Sequence, residues 1–419
     1  MNDAITKLEI DQRAVEINQW IEHSANKLVR LRDRVLGALH LGGRKAAYDD
    51  EAYEFIGGPS DTLRRKHYDK SLRLLWKAEN EAPFLPFHDA SPAERNIFDL
   101  AVRSMTDDER QARERLSLPA YRAFLDQTYT QRQKRAIVAI LAAIGHGEAY
   151  AWLVSADLLN QVKSTGGRAA LTMQVLEEAK HFVVLRELLQ AFQVPIPRQS
   201  AWEYLLLEGV YKAPGTEKLF GMNVLVESIA LSFFGLMSEM PGLEVLRLFH
   251  LDEARHTGLP GNYLAEFPLT RFQRWNPAAR LRRLGLILPA LALIPALEGE
   301  MAELGIDAFE FGGSVIRKVG VLAERSGFAL PMANDKLFPA LNRLFNAYCK
   351  RTRKGHEARD FFASETTVGE RQLAVEREIF ASAPAATPPR STASATAAAK
   401  ATPAPGPGPG PRGVSPLRS

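Results

Sequence analysis

The chain has 419 residues, 46% hydrophobic and 24% charged, the balance of an ordinary globular protein; disordered, collagen-like and disulfide-framework classes are excluded. Its 53 basic and 49 acidic residues give +4, but Arg390, Lys400, Arg412 and Arg418 stand in the acid-free stretch 382–419, so the rest is neutral and carries no electrostatic footprint for nucleic acid. A single cysteine, Cys349, cannot form an internal disulfide, and the first residues hold no apolar signal core; both point to a reducing, cytoplasmic setting.

Apolar residues recur at three- and four-residue spacing over 14–39, 132–162, 169–192, 217–240 and 243–267, and sustained alternation is nearly absent, so the fold class expected is all-α. Ser164-Thr165-Gly166-Gly167 and Met240-Pro241-Gly242 break the pattern between the second and third runs and between the fourth and fifth. The stretch 192–217 is longer and holds Pro195, Pro197 and Pro214. Two helical hairpins joined by a long crossover is one of the known four-helix-bundle connectivities. The chain thus divides into an N-terminal helical extension packed on the bundle (1–130), the bundle (131–270) and C-terminal helices (271–380). A disordered Ala/Pro/Gly-rich tail follows (381–419). The longest apolar run, 284–297, contains Pro289 and Pro295 and is too short to span a bilayer, so no transmembrane segment is expected. It follows Arg280, Arg282 and Arg283 and reads as a buried helix covering the bundle; an interfacial helix reaching a lipid-borne substrate is the sharper alternative.

The second helix of each hairpin carries nearly the same pentamer: Glu177-Glu178-Ala179-Lys180-His181 and Asp252-Glu253-Ala254-Arg255-His256. A Glu and a His three apart share one helix face and can reach one metal ion. One such pair arises by chance; two copies sharing the acid, the Ala and the base, in apolar flanks, do not suit a solvated charge ladder. A bundle site takes one further Glu from each remaining helix. Facing residues of an antiparallel hairpin lie equally far from the turn, which selects Glu148 opposite Glu178 and Glu227 opposite Glu253. Glu227 is the lone acid between Glu217 and Glu239, expensive to bury unless paired or metal-bound. The candidate ligands are therefore Glu148, Glu178, His181, Glu227, Glu253 and His256. Four carboxylates and two imidazoles without thiolates suit two iron ions, with manganese compatible, and not structural zinc. Glu177 and Asp252 are placed to accept the second N–H of each imidazole across the bundle, with Lys180 and Arg255 pairing with them.

On these motifs, over 148–256, the chain resembles the ferritin-like superfamily of di-iron carboxylate proteins. The doubled acid-Glu-x-base-His pattern resembles the oxygen-activating branch: soluble acyl-carrier desaturases, bacterial multicomponent monooxygenase hydroxylases, arylamine N-oxygenases and the ribonucleotide reductase small subunit. The resemblance implies a ferritin-like four-helix bundle in which two irons react with dioxygen and oxidise a substrate or a side chain. Departures keep the subfamily open. Leu185 stands where the reductase carries a radical Tyr, Ala230 and Leu231 where hydroxylases and desaturases often have a Thr, and Phe249 where N-oxygenases have a third His. His250, about 60° from Glu253 around the helix, is a candidate extra ligand. Trp152, Leu231 and Phe234, one or two turns after Glu148 and Glu227, are candidate pocket residues for an apolar substrate.

The leading expectation is an oxygen-dependent di-iron oxidoreductase that hydroxylates, N-oxygenates or desaturates an apolar or aromatic small molecule. Beyond the metal ligands no catalytic residue is assigned. With no Gly-x-Gly-x-x-Gly fingerprint, electrons come from a separate donor protein; a homodimer is compatible. The alternatives are an iron-handling or radical-storing protein without organic substrate, and a metal-free helical scaffold. An apolar cavity touching the six residues separates the first reading from the second.

Overall fold

A computed structural model describes residues 5–39, 41, 119–163 and 165–363. The chain divides into two units, Met1–Ala386 and Thr387–Ser419; the second, like the whole of the expected tail (381–419), lies outside the described residues, as does most of the expected N-terminal extension. Among the described residues there are twelve helices and no strand, so the fold is all-α.

The first helix, α1 (Gln12–Ala38), starts where the Asp11 side chain accepts from Arg13 N–H. After α2 (Pro119–Thr128) comes α3 (Gln131–Leu158), opened by a capping box in which Thr130 and Gln133 satisfy each other's backbone N–H groups. A short turn leads into α4 (Thr165–Ala191), which packs along α3. The crossover is not irregular throughout: it carries α5 (Ala201–Lys212), capped by Ser200. The second hairpin joins α6 (Thr216–Met237) to α7 (Leu246–Glu266). Its turn is pinned from outside. Tyr121 and Tyr129 hydroxyls donate to the carbonyls of Gly242 (2.6 Å) and Pro241 (2.7 Å), and Gly242 N–H donates to Glu244 (2.8 Å). Gly242 has φ 87°, and a Cβ there would meet Phe124 at 3.0 Å, so both backbone and space require glycine.

Helices α3, α4, α6 and α7 form the four-helix core. By length and composition alone α3 and α6 are apolar enough to cross a membrane, a property that uninterrupted apolar runs do not reveal. Their apolar windows are nevertheless 78% and 89% buried within the fold, because both run through its centre.

A second layer covers the α3–α6 face. It comprises α8 (Arg271–Trp275), α9 (Pro277–Ala296), α10 (Glu298–Glu303), α11 (Ala308–Arg325) and α12 (Asn334–Thr352). The apolar run 284–297 falls in α9, which packs on α5, α1 and α11. One arginine fastens it. Arg283 is fully buried and its guanidinium donates to both oxygens of Glu217 on α6 (2.8 and 2.5 Å) and to the Ala329 carbonyl (2.7 Å), while stacking over Phe328. A planar, bidentate donor set of this kind is what lysine cannot supply.

Where α1 meets this layer, Glu22 faces Glu203 of α5 and Glu300 of α10. Burial first, and then these two carboxylates, push the Glu22 carboxyl from 4.5 up to about 7. Below the lower value Glu22 is neutral in both folded and unfolded chains; between the two values only the unfolded chain ionises, so stability falls as pH rises through that window. Glu22→Gln is therefore expected to raise the thermal midpoint at about pH 8 and to leave it unchanged near about pH 4. A difference independent of pH contradicts this placement of Glu22.

Candidate metal centre

Each of the four core helices contributes one carboxylate at the same level of the bundle, and α4 and α7 add an imidazole one turn further on. Glu148 comes from α3, Glu178 and His181 from α4, Glu227 from α6, and Glu253 and His256 from α7; none is more than 4% exposed. Two overlapping groups each bring four ligand atoms within 4.8 Å of one another: Glu148, Glu178, His181 and Glu253, and Glu178, Glu227, Glu253 and His256. Glu178 and Glu253 belong to both.

The imidazoles point into the carboxylates. His181 Nδ1 is 3.1 Å from Glu253, 3.3 Å from Glu148 and 3.6 Å from Glu178. His256 Nδ1 is 3.1 Å from Glu178 and 3.2 Å from Glu253. One ring nitrogen can carry one hydrogen, so it cannot satisfy two or three carboxylates at once. Glu178 Oε2 and Glu253 Oε1 accept no hydrogen bond in this arrangement. Buried carboxylate oxygens left this way are costly, and a cation in their midst removes the deficit. The cluster can thus hold a metal ion, and its residue types fit one.

The titration behaviour points the same way. Burial, and then repulsion from Glu178 and Glu253, holds Glu148 and Glu227 well above the usual carboxylate range. Burial also pushes Glu178 and Glu253 up, but the His256 charge and hydrogen bonds from neighbouring groups outweigh it and leave both low. His181 and His256 are raised by the surrounding carboxylates despite their burial. These directions favour neutral carboxyls at Glu148 and Glu227 and charged imidazoles at His181 and His256, which offsets the charge of Glu178 and Glu253.

The pentamers lock onto each other across the bundle. His181 Nε2 reaches Asp252 of the other copy (3.1 Å), and His256 Nε2 reaches Glu177 (2.9 Å). Lys180 donates to Asp252 (2.9 Å), and Arg255 donates to Glu177 (2.8 Å) and to Asp252. Each outer acid therefore orients the imidazole of the opposite helix, leaving Nδ1 directed at the cluster. Asp252 is held well below its ordinary range by the His181 bond and by the nearby cations, which overcome its burial.

Two further residues carry the arrangement and are not among those picked from the sequence. Gln174 donates to Glu227 (3.0 Å) and Glu178 (3.4 Å), and Asn223 donates to the Gln174 carbonyl (2.9 Å) and to the His256 backbone (3.2 Å). Each stands one turn before a candidate ligand. Asn223 also lies in a π-helical stretch, Phe220–Val226, that runs directly into Glu227. For Asn223 the available signal was the one that singled out Glu227, a polar side chain in an otherwise apolar stretch; Gln174, among Thr172, Glu177 and Glu178, offered none.

His250, the candidate extra ligand, is buried on α7 and contributes no atom to either group. Its offset from Glu253 leaves the metal face to Glu253 and His256. Phe249 instead stacks on the His181 ring, with centroids 4.2 Å apart.

An apolar cavity of about 110 Å³, several times what one water requires, lies between the α3–α6 face and the second layer. Glu148 and Glu227 line it, and Glu203 is the one other charged residue on its wall. Near the cluster the lining includes Gly147, Ala151, Met222, Val226, Ala230 and Phe233. None of the expected pocket residues, Trp152, Leu231 and Phe234, lines this cavity. Each is one position further along its helix than a residue that does, which turns it by about 100°. Trp152 is half-buried, and Phe234 packs edge-on against His181 and Phe249.

Replacing Glu178 or Glu253 by Ala is expected to abolish stoichiometric binding of ferrous iron, read by metal analysis after desalting, while far-ultraviolet dichroism keeps its helical signal. Unchanged loading in either variant removes these residues from the ligand set. Searches for relatives gave no match: no protein-family model, no curated protein and no solved structure is similar to the chain.

Proposed function

We propose that the protein is an oxygen-dependent oxidoreductase with a non-haem di-iron centre that hydroxylates, N-oxygenates or desaturates an apolar organic substrate. The observation that carries this reading is the apolar cavity walled by Glu148 and Glu227. A protein that only moves iron needs a polar route to its cluster, not an apolar chamber against it.

In this reading Glu148, Glu178, His181, Glu227, Glu253 and His256 would hold two irons, with Glu178 and Glu253 common to both ligand groups. Bound iron would supply the activation of dioxygen. The chain's own residues do the rest. Glu148 and Glu227 hold the cavity side of the centre, and the imidazoles hold the opposite side, so a substrate approaches past carboxylates. Ala151 and Ala230 leave space beside them, and the surrounding apolar side chains exclude water from the reacting face. Glu177 and Asp252 fix the imidazole orientation, and Gln174 restrains Glu227. Electrons come from a separate donor protein in a reducing compartment.

The test is anaerobic loading with ferrous iron followed by rapid mixing with oxygen. A transient visible band at about two irons per chain is expected. Apolar and aromatic compounds that fit the cavity should accelerate its decay with formation of oxidised product. In Ala230→Phe, which fills the cavity, the band should form while that acceleration is lost. Direct conversion to ferric product with no transient, and no organic oxidation by any compound, favours the ferroxidase-like alternative.

A further inference from the structure

We propose that the face formed by α8 and the start of α9 docks on an anionic lipid bilayer. Between Glu266 and Glu298 the chain has five arginines and no acidic residue. Two are used internally: Arg283 on Glu217, and Arg280 on the carbonyls of Leu330 (3.2 Å) and Pro331 (2.6 Å). The other three, Arg271, Arg274 and Arg282, are exposed. Among them stand large apolar side chains that the fold leaves in water: Phe272 at 75% exposure, Leu281 at 68%, Trp275 at 58% and Leu288 at 55%. Arg274 lies over the Trp275 ring, 5.4 Å from its centroid.

Leu281, Gly285 and Leu288 form one exposed stripe of α9 at helical spacing, and Phe272 and Trp275 on α8 are exposed beside its start. Aromatic side chains among uncompensated arginines match a lipid interface, where rings sit at headgroup depth and guanidinium groups meet phosphate. Charge of one sign also selects this occupant over a second copy of the chain, which would set like charges against each other. The exposed apolar stripe of α1, which includes Ile17, Trp20, Leu28 and Leu31, differs: both signs of charge are interspersed along that helix, so no charge complementarity names its occupant.

The position of α9 links the surface to the centre. Its other side, Ile287, Ala290, Leu291 and Ile294, lines the apolar cavity. One helix thus faces the proposed bilayer and the substrate chamber, which suits a substrate that partitions into lipid. That last step rests on the proposed function; docking does not, and vesicle binding is read without turnover.

The experiment is co-sedimentation of the full chain with phosphatidylcholine vesicles containing phosphatidylserine, against phosphatidylcholine alone. Partitioning about tenfold stronger on the anionic vesicles, weakened by added salt, is expected. The double substitution Phe272→Ser with Trp275→Ser should reduce it by about tenfold or more, and Trp20→Ser on α1 should leave it unchanged. Equal binding to both vesicles overturns the proposal. So does no binding, binding that survives the double substitution, or sedimentation showing that this face instead joins two chains.

Discussion

Four carboxylates packed into the centre of an apolar helical bundle are the constraint on which the rest depends. Each would be strongly disfavoured alone in that surrounding, and together they repel. The fold tolerates Glu148, Glu178, Glu227 and Glu253 because two of the carboxyls are pushed toward the neutral form and both imidazoles toward the charged one; a bound cation would serve the same end. The raised levels of Glu148 and Glu227, and of both histidines, express that demand.

The architecture around the cluster serves to hold its shape. The doubled pentamer is reciprocal: the outer acid of each copy grips the histidine of the other, and the two bases close the pairs at the bundle surface. This ties α4 to α7 through side chains, while the short turns tie α3 to α4 and α6 to α7. On the opposite side, Gln174 and Asn223 bind the α6 carboxylate to the same frame. The second layer is then free to do something else. Its α9 and α11 stand off from α3 and α6 far enough to leave a chamber, and Arg283 on Glu217 fixes that layer without filling it.

The bundle was readable because its helices are long, apolar and punctuated by Gly and Pro. Equal distance from each turn was enough to find Glu148 and Glu227, since an antiparallel hairpin converts sequence distance into height. The crossed pairs of Glu177 and Asp252 followed from what a metal-facing imidazole needs on its other nitrogen. What escaped is what depends on rotation around a helix axis. Whether Ala230 or Leu231 faces the cavity is a matter of a single residue step, and no spacing rule tells which side of α6 a later layer will cover. The π-helical stretch before Glu227 is equally silent, because a run of six apolar residues and Asn223 looks the same in either winding. The helix within the crossover and the cavity wall from α9 and α11 depend on contacts between segments far apart in sequence.

The central proposal is that this cluster, whose two ligand groups share Glu178 and Glu253, would hold two iron ions. It is tested most directly by anomalous diffraction at the iron edge from crystals grown anaerobically with ferrous iron. The account predicts two peaks, one beside Glu148 and His181 and one beside Glu227 and His256, with Glu178 and Glu253 between them. A single peak elsewhere, or an iron-free cluster in crystals whose protein otherwise keeps this fold, would contradict it.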